Sequence, residues 1–259
     1  MNKNLISGWG NNKSFSCNIA IPNSINAIQT IIKDKKKIIA RGLGRSYGDS
    51  SIQKNCVVEL RNFNKIISFN KKNGTVKVQA GISLKCLLEK IIPNGWFVPV
   101  SPGTKYVTLG GMVASNVHGK NQHLDGCLIN HILSIKLLHK DKIIKITKSY
   151  NKDLFYATCG GMGLTGIILE VKIKLIKIKS NRILQKNIFF NDLKNLIKTI
   201  TKEKDFYSVA WLDCFSLKKD SHKINSILYL GQHEKKIKLL ANFKFSKQIK
   251  IYSIFIFFF

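Results

Sequence analysis

Acid is scarce in this sequence: 14 Asp and Glu stand against 43 Lys and Arg in 259 residues, a formal charge of +29. An excess of that size would suit a nucleic-acid binder, but arginine is scarce too, occurring only at Arg41, Arg45, Arg61 and Arg182. Nucleic-acid readers use Arg and interleaved aromatics in a local patch, whereas here Lys is spread along the chain beside abundant Asn and Ile. A bias of composition explains the charge more simply, and no nucleic-acid partner is expected. A diffusely basic surface still favours anionic lipids and phosphorylated ligands. No C-x-x-C pair occurs among Cys17, Cys56, Cys86, Cys127, Cys159 and Cys214, which argues against a zinc ribbon or a thioredoxin-like site and for reduced, mostly buried thiols. The N-terminal "MNKNLISGWGNNKSF" holds no apolar run of signal-peptide length, and no segment approaches a membrane span. The expectation is a cytoplasmic protein.

What is present is an alternation of strands and helices up to about residue 178. "PNSINAIQTIIKDKK" reads as a helix opened by Asn23 or Ser24, followed by strands at "KIIA", "CVVEL", "KIISFN" and "TVKVQA". "SLKCLLEKIIPNG" reads as a helix capped by Ser83 and stopped by Pro93, Asn94 and Gly95. Two strand-like runs follow in "HILSIKLLHKDKIIKIT", then a helical "KDLFYAT" and one long strand in "LTGIILEVKIKLIKI". A helix at "FNDLKNLIKTITKE" and strands at "YSVAWLD" and "SILYL" complete the pattern, with no internal repeat. The tail "IYSIFIFFF" is intensely apolar, reading either as a buried strand or as a chain cut short or out of frame, prone to β-aggregation. The expected domains are 1–178 and 179–259, because the glycine-rich loops stop near Ser180.

Three glycine-rich segments need a common explanation. "ARGLGRSYGDSS" puts bare backbone and hydrogen-bonding side chains directly after an apolar strand, a combination suited to phosphate oxygens or, alternatively, an ordinary turn. "GGMGLTG" contains a formal G-x-G-x-x-G, but a β-branched run follows it where a dinucleotide fold needs a helix. No acidic residue lies near the distance that would hold a ribose, so that reading fails its own test. In "VTLGGMVAS", Thr108 can cap a short helix while Gly110 and Gly111 permit close approach of a pyrophosphate. Three separated loops, none built for NAD, imply one large ligand touched at several points. His123, Cys127 and His131 are spaced like ligands on successive helical turns, but no fourth ligand matches, so no metal is expected.

The segments "ARGLGRSYGD", "PGTKYVTLGGMVASNVHGKN" and "DLFYATCGGMGLTGI" resemble the flavin-binding loops of the vanillyl-alcohol-oxidase (p-cresol methylhydroxylase) type flavoproteins. Within that family, "HGKN" and "VAWLD" are most similar to the decaprenylphosphoryl-ribose oxidase group, and the likeness spans roughly residues 7 to 232. The resemblance implies an α+β fold, with a two-subdomain FAD-binding domain followed by a partial antiparallel-sheet substrate domain. It also implies FAD as cofactor. Ala40, Arg41, Gly42, Leu43, Gly44, Arg45, Ser46, Tyr47, Gly48, Asp49 and Ser50 would line the diphosphate. Gly103, Thr108, Leu109, Gly110 and Gly111 would approach the flavin, Ser115, Asn116, Val117 and His118 would run beneath its ring system, and Ile167 would touch the adenine side. Many relatives tether FAD through a histidine at the place of Arg45, which cannot make that bond, so the FAD is expected to be non-covalent.

The reaction implied is oxidation of a secondary sugar alcohol, with a base taking the hydroxyl proton. His118, Lys120 and Tyr47 are the candidate catalytic residues, and Trp211 would pack against the substrate. Each has a plainer alternative: His118 as a structural hydrogen-bonder, Lys120 as a solvated charge, Trp211 as a core aromatic. The implied partners are a polyprenyl-phosphate sugar substrate, an NAD(P)H-dependent reductase, and the inner face of a membrane. The likeness fades after "LYLGQHE", which leads to the expectation of a C-terminally truncated chain. Three readings therefore stand: an FAD-dependent oxidoreductase on polyprenyl-phosphate ribose, a related sugar or aldonolactone oxidase, and a flavin-binding or partner-binding chain without turnover.

Overall fold

The computed structural model describes residues 2–35, 37–203, 205–216 and 224–235, so the tail "IYSIFIFFF" and its expected strand lie outside the described residues. The chain opens on a hairpin that the sequence pattern does not announce, β1 (Asn2–Ser7) paired antiparallel with β2 (Ser14–Ala20). Only Cys17 and Ala20 of β2 are fully buried, so the alternation that marks a half-buried strand is nearly absent. In α1 (Ile25–Asp34) the Ser24 hydroxyl accepts from the Ala27 N–H at 3.2 Å, which makes Ser24, not Asn23, the cap of the two that the sequence offers. Its apolar residues Ile25, Ile28, Ile31 and Ile32 recur at helical spacing and pack on Leu138, Ile167 and Leu169. Next come β3 (Ile39–Arg41) and β4 (Val57–Glu59), which run parallel; together these strands make a mixed sheet in the order β1-β2-β4-β3.

A second, antiparallel sheet is built from β5 (Ile66–Asn70) and β6 (Thr75–Gln79) plus three strands that arrive later. Between them lie α2 (Leu84–Ile91), β7 (Trp96–Phe97), α3 (Leu109–Ala114) and α4 (Gln122–Asp125). The later strands are β8 (Ile132–His139), β9 (Lys142–Ile146) and, after α5 (Lys152–Thr158), β10 (Ile167–Lys174), giving the order β5-β6-β10-β8-β9. Ser83 caps α2 and Gly95, at φ +79°, ends the turn after it, as the sequence predicts. Leu84, Leu87, Leu88 and Ile91 form the buried stripe of α2 and join Val76, Val78, Val171 and Ile173 in the largest core. The run expected as one long strand is two: β10 ends at Lys174, the Leu175 N–H turns to the Gly74 carbonyl at 2.7 Å, and β11 (Ile176–Lys177) pairs instead with β7.

The third sheet consists of β12 (Ile183–Phe190), β13 (Tyr207–Leu212) and β14 (Ser226–His233) in the antiparallel order β12-β14-β13. Helix α6 (Leu193–Ile200), capped by Asp192, covers one face of it through Leu196, Leu228 and Leu230. The architecture is α+β. Thiol burial is less general than the composition suggests: Cys17, Cys56 and Cys159 are buried, while Cys86 and Cys214 are exposed. Burial pushes the Cys159 thiol up to about 12.

Candidate cofactor cavity

At the end of β3 the chain leaves the sheet and runs irregularly from Gly42 to Ser51 beside the segment that leads into α3 and the loop that precedes β10. Where the three converge lies a cavity of about 810 Å³, within the size range of small-molecule and cofactor sites. Every residue from Ala40 to Ser50 lines it, as do Gly103, Thr108, Gly110, Gly111, Ser115 and Val117. The third loop contributes Met162, Gly163, Gly166 and Ile168. Four of the residues assigned to the cofactor from sequence are not on its wall. Leu109 is a fully buried core residue, and Ile167 packs with Leu138 and Leu169 while its neighbours Gly166 and Ile168 face the cavity. Asn116 accepts from the Ile129 N–H at 3.0 Å, and the exposed His118 forms a backbone bridge with Cys127.

The wall carries two cations, Arg41 and Arg45, against the single carboxylate of Asp49. Arg41 is half-buried; it donates to the Ser51 hydroxyl at 3.0 Å and to the Ser7 carbonyl at 2.8 Å. Among the described residues no carboxylate pairs with it. Desolvation pushes its pKa down, the mark of a cation short of counter-charge, and an anionic ligand would supply that charge. The glycines play two different roles. Gly48 and Gly103 have open space where a side chain would stand, so a ligand can reach their backbone. Gly110 instead packs on Ala80, whose carbonyl takes its N–H at 2.8 Å, and a side chain on Gly42 would strike Thr108. The Thr108 hydroxyl caps α3 by accepting from the Gly111 N–H at 3.2 Å.

One part of the wall is absent from the sequence reading: the tip of the β1–β2 hairpin. Trp9 lines the cavity, its N–H donating to the Ser46 carbonyl at 2.7 Å, and the Gly10 N–H donates to the Tyr47 carbonyl at 3.2 Å. The one available signal was "GWG": a side chain on Gly8 would clash with the Gly48 carbonyl, so the flanking glycines mark close backbone approach.

Lys120 and Trp211 also lie off the wall. Burial holds the Lys120 amine below its ordinary value, and its carbonyl accepts from the Ser208 N–H of β13 at 2.9 Å. The next residue, Asn121, is fully buried and donates to the Pro99 carbonyl at 2.7 Å and to Asp125 at 2.6 Å, which fixes the "HGKN" turn. Trp211 is half-buried on β13 opposite Ile227, and Tyr47 is 79% exposed at the cavity rim. The ring nitrogens of His123 and His131 lie at 3.1 and 3.0 Å from the carbonyls of Asp205 and Asp125. Among the described residues no three potential metal ligands cluster.

Comparison with known proteins agrees with this geometry. The model of a family described as FAD binding domain matches residues 18–147. Decaprenylphosphoryl-beta-D-ribose oxidase of Mycolicibacterium smegmatis is 37% identical over 185 residues, covering 69% of this chain and 40% of the relative. D-arabinono-1,4-lactone oxidase of Kluyveromyces lactis is 24% identical over 199 residues, covering 73% of this chain and 38% of the relative. The chain thus spans less than half the length of either. A solved alkyldihydroxyacetonephosphate synthase superposes with a TM-score of 0.69 at 15% identity, over 83% of this chain and 46% of that one.

Proposed function

The chain belongs to the FAD binding domain family, with FAD as its cofactor, and from that membership we propose that it carries the flavin of an oxidoreductase acting on a secondary sugar alcohol, the ribose 2-hydroxyl of a polyprenyl-phosphate ribose. The observation that carries this reading is the convergence of three separated glycine-rich loops on one cavity holding a half-buried Arg41 that has no carboxylate partner among the described residues. The residues fit the cofactor. Open backbone at Gly48 and Gly103 admits a diphosphate, and Arg41 stands ready to balance it.

When bound, FAD supplies a two-electron acceptor for the alcohol carbon. The chain's own part is to hold the sugar and to move its hydroxyl proton. Of the candidate groups for that proton only Tyr47 lines the cavity, at its rim, and Lys120 would act from the "HGKN" turn outside its wall. His118, two residues earlier and likewise off the wall, would orient the hydroxyl, and Trp211 would pack on the sugar from the third sheet, outside the cavity. A separate NAD(P)H-dependent reductase would complete the epimerisation of the oxidised sugar. The diffuse positive charge suits a substrate held at the inner face of an anionic membrane. Among the described residues no helix is long and apolar enough to cross one.

A second substrate class is favoured by one specific observation, the extent of the match to an arabinono-lactone oxidase. Anaerobic titration of the purified yellow protein decides between them. Bleaching of the flavin band by a polyprenyl-phosphate ribose, but not by an aldonolactone, is the expected result, and acid precipitation should leave all the flavin in the supernatant. Protein that takes up no FAD at all would refute the reading of the cavity.

A further inference from the structure

Arg45 joins three segments that are far apart in the chain. Its guanidinium lies 4.3 Å over the ring of Trp9, and its Nε donates to the Tyr106 carbonyl at 3.2 Å. Both partners line the same cavity, Trp9 from the β1–β2 hairpin and Tyr106 from the second loop. The backbone on either side of the contact is already fastened, through Trp9 N–H to Ser46 and Gly10 N–H to Tyr47. Trp9 is 55% exposed, so core packing does not explain why an indole is held here.

We infer that Arg45 is a positioning residue that latches the cofactor loop shut: stacked on Trp9 and bonded to Tyr106, it ties the hairpin and the two loops together across the cavity and slows the escape of an FAD that no covalent bond retains. The inference rests on the cavity being the FAD site. A planar guanidinium can cover a ring with one face and donate in its own plane at the same time, which an ammonium cannot. Both contacts close the rim of the cavity and neither is part of the hydrophobic core, so breaking them opens a path for the ligand and leaves the sheets in place. A latch of this kind acts mainly on dissociation, since a ligand must wait for it to open before leaving.

The test measures FAD release from the holoprotein, followed as the gain in flavin fluorescence after dilution, alongside the melting temperature of each apoprotein. Arg45→Ala and Trp9→Ala should each speed release by about two- to fivefold, the range of an exposed cation–π contact. The double variant should release no faster than Arg45→Ala alone, because that change already breaks the contact with Trp9 along with the bond to Tyr106. Trp9→Phe, which keeps a ring face, should restore slow release, whereas Arg45→Lys should not. Unchanged release in Arg45→Ala, or additive effects in the double variant, would overturn the latch while leaving the FAD site intact. So would a fall in apoprotein melting temperature parallel to faster release, which would mark ordinary packing. A wild-type chain that binds no FAD would overturn both the latch and the cavity reading.

Discussion

Gly44 holds φ at +64°, and any side chain there would run into the guanidinium of Arg41. Valine at this position therefore meets two penalties at once. A β-branched residue in the left-handed region costs about 1–3 kcal/mol, and the displaced Arg41 loses its bonds to Ser7 and Ser51. Since Arg41 is the half-buried cation of the cavity, Gly44→Val should weaken FAD binding by at least about tenfold, roughly 1.4 kcal/mol, and purify with little flavin. The ratio of flavin to protein absorbance measures it, and a fully yellow Gly44→Val protein would contradict the assignment. Gly110 is bare for a different reason, its contact with Ala80 rather than its backbone angles. A sequence shows both residues only as glycine, and so it marks the loop without telling which glycine bends the chain and which makes room. Lys120 is a similar case. Its neighbours in "HGKN" were legible, but the burial that lowers its pKa depends on packing that no local pattern encodes.

The strand is the scale at which charge becomes stability. In β10, the Glu170 carboxylate faces Lys136 of β8 at 3.0 Å and Lys77 of β6 at 2.5 Å, so one acid ties the middle three strands of the second sheet. Desolvation pushes this carboxyl up, but the two lysines outweigh it and hold its pKa below the ordinary value. A depressed carboxylate contributes stability that is present above its unfolded pKa and lost as pH falls through the folded one. Glu170→Gln should thus melt lower than wild type at pH 7, by about 0.5–1 kcal/mol given the exposure of both lysines. The gap should close in acid, below the ordinary carboxyl value of 4.5. An equal gap at pH 7 and in strong acid would show that shape and not charge was removed. Elements with strong internal signals were readable from sequence in the same way: α1 and α2 with their serine caps, and β6 with its alternating valines. The hairpin β1–β2 and strand β12 were not. Few of their side chains are fully buried, and their place comes from backbone pairing, β1 with β2, β2 with β4 and β12 with β14. The hairpin matters most, because it brings Trp9 to the cavity.

At the scale of the whole molecule the question is how the third sheet meets the cofactor-binding part. No described residue after Ile178 lines the cavity, yet the two parts touch at named points. Ser208 donates to the Lys120 carbonyl, His123 reaches Asp205, and the ring of Phe97 meets His233 edge-on at 5.3 Å between centroids. His233 also lies 3.1 Å from the Tyr207 hydroxyl, whose own pKa is driven up by burial and by Asp125. Burial pushes the imidazole pKa down, against a smaller opposing effect of a backbone hydrogen bond at Ser180. In the unfolded chain the same group titrates near 6.5. Between the lowered folded value and 6.5 the unfolded state binds more protons, so stability must fall as pH drops through that window. Wild type should therefore lose melting temperature on acidification from neutral pH more steeply than His233→Gln, which has no imidazole to charge. Flavin content should stay the same in both, since the cavity wall lies elsewhere. Calorimetry across pH 5 to 7.5, with flavin absorbance read on the same samples, separates the two effects. Parallel melting curves for the two proteins would mean that His233 does not control the junction, and loss of flavin in His233→Gln would mean that the cavity depends on the third sheet after all.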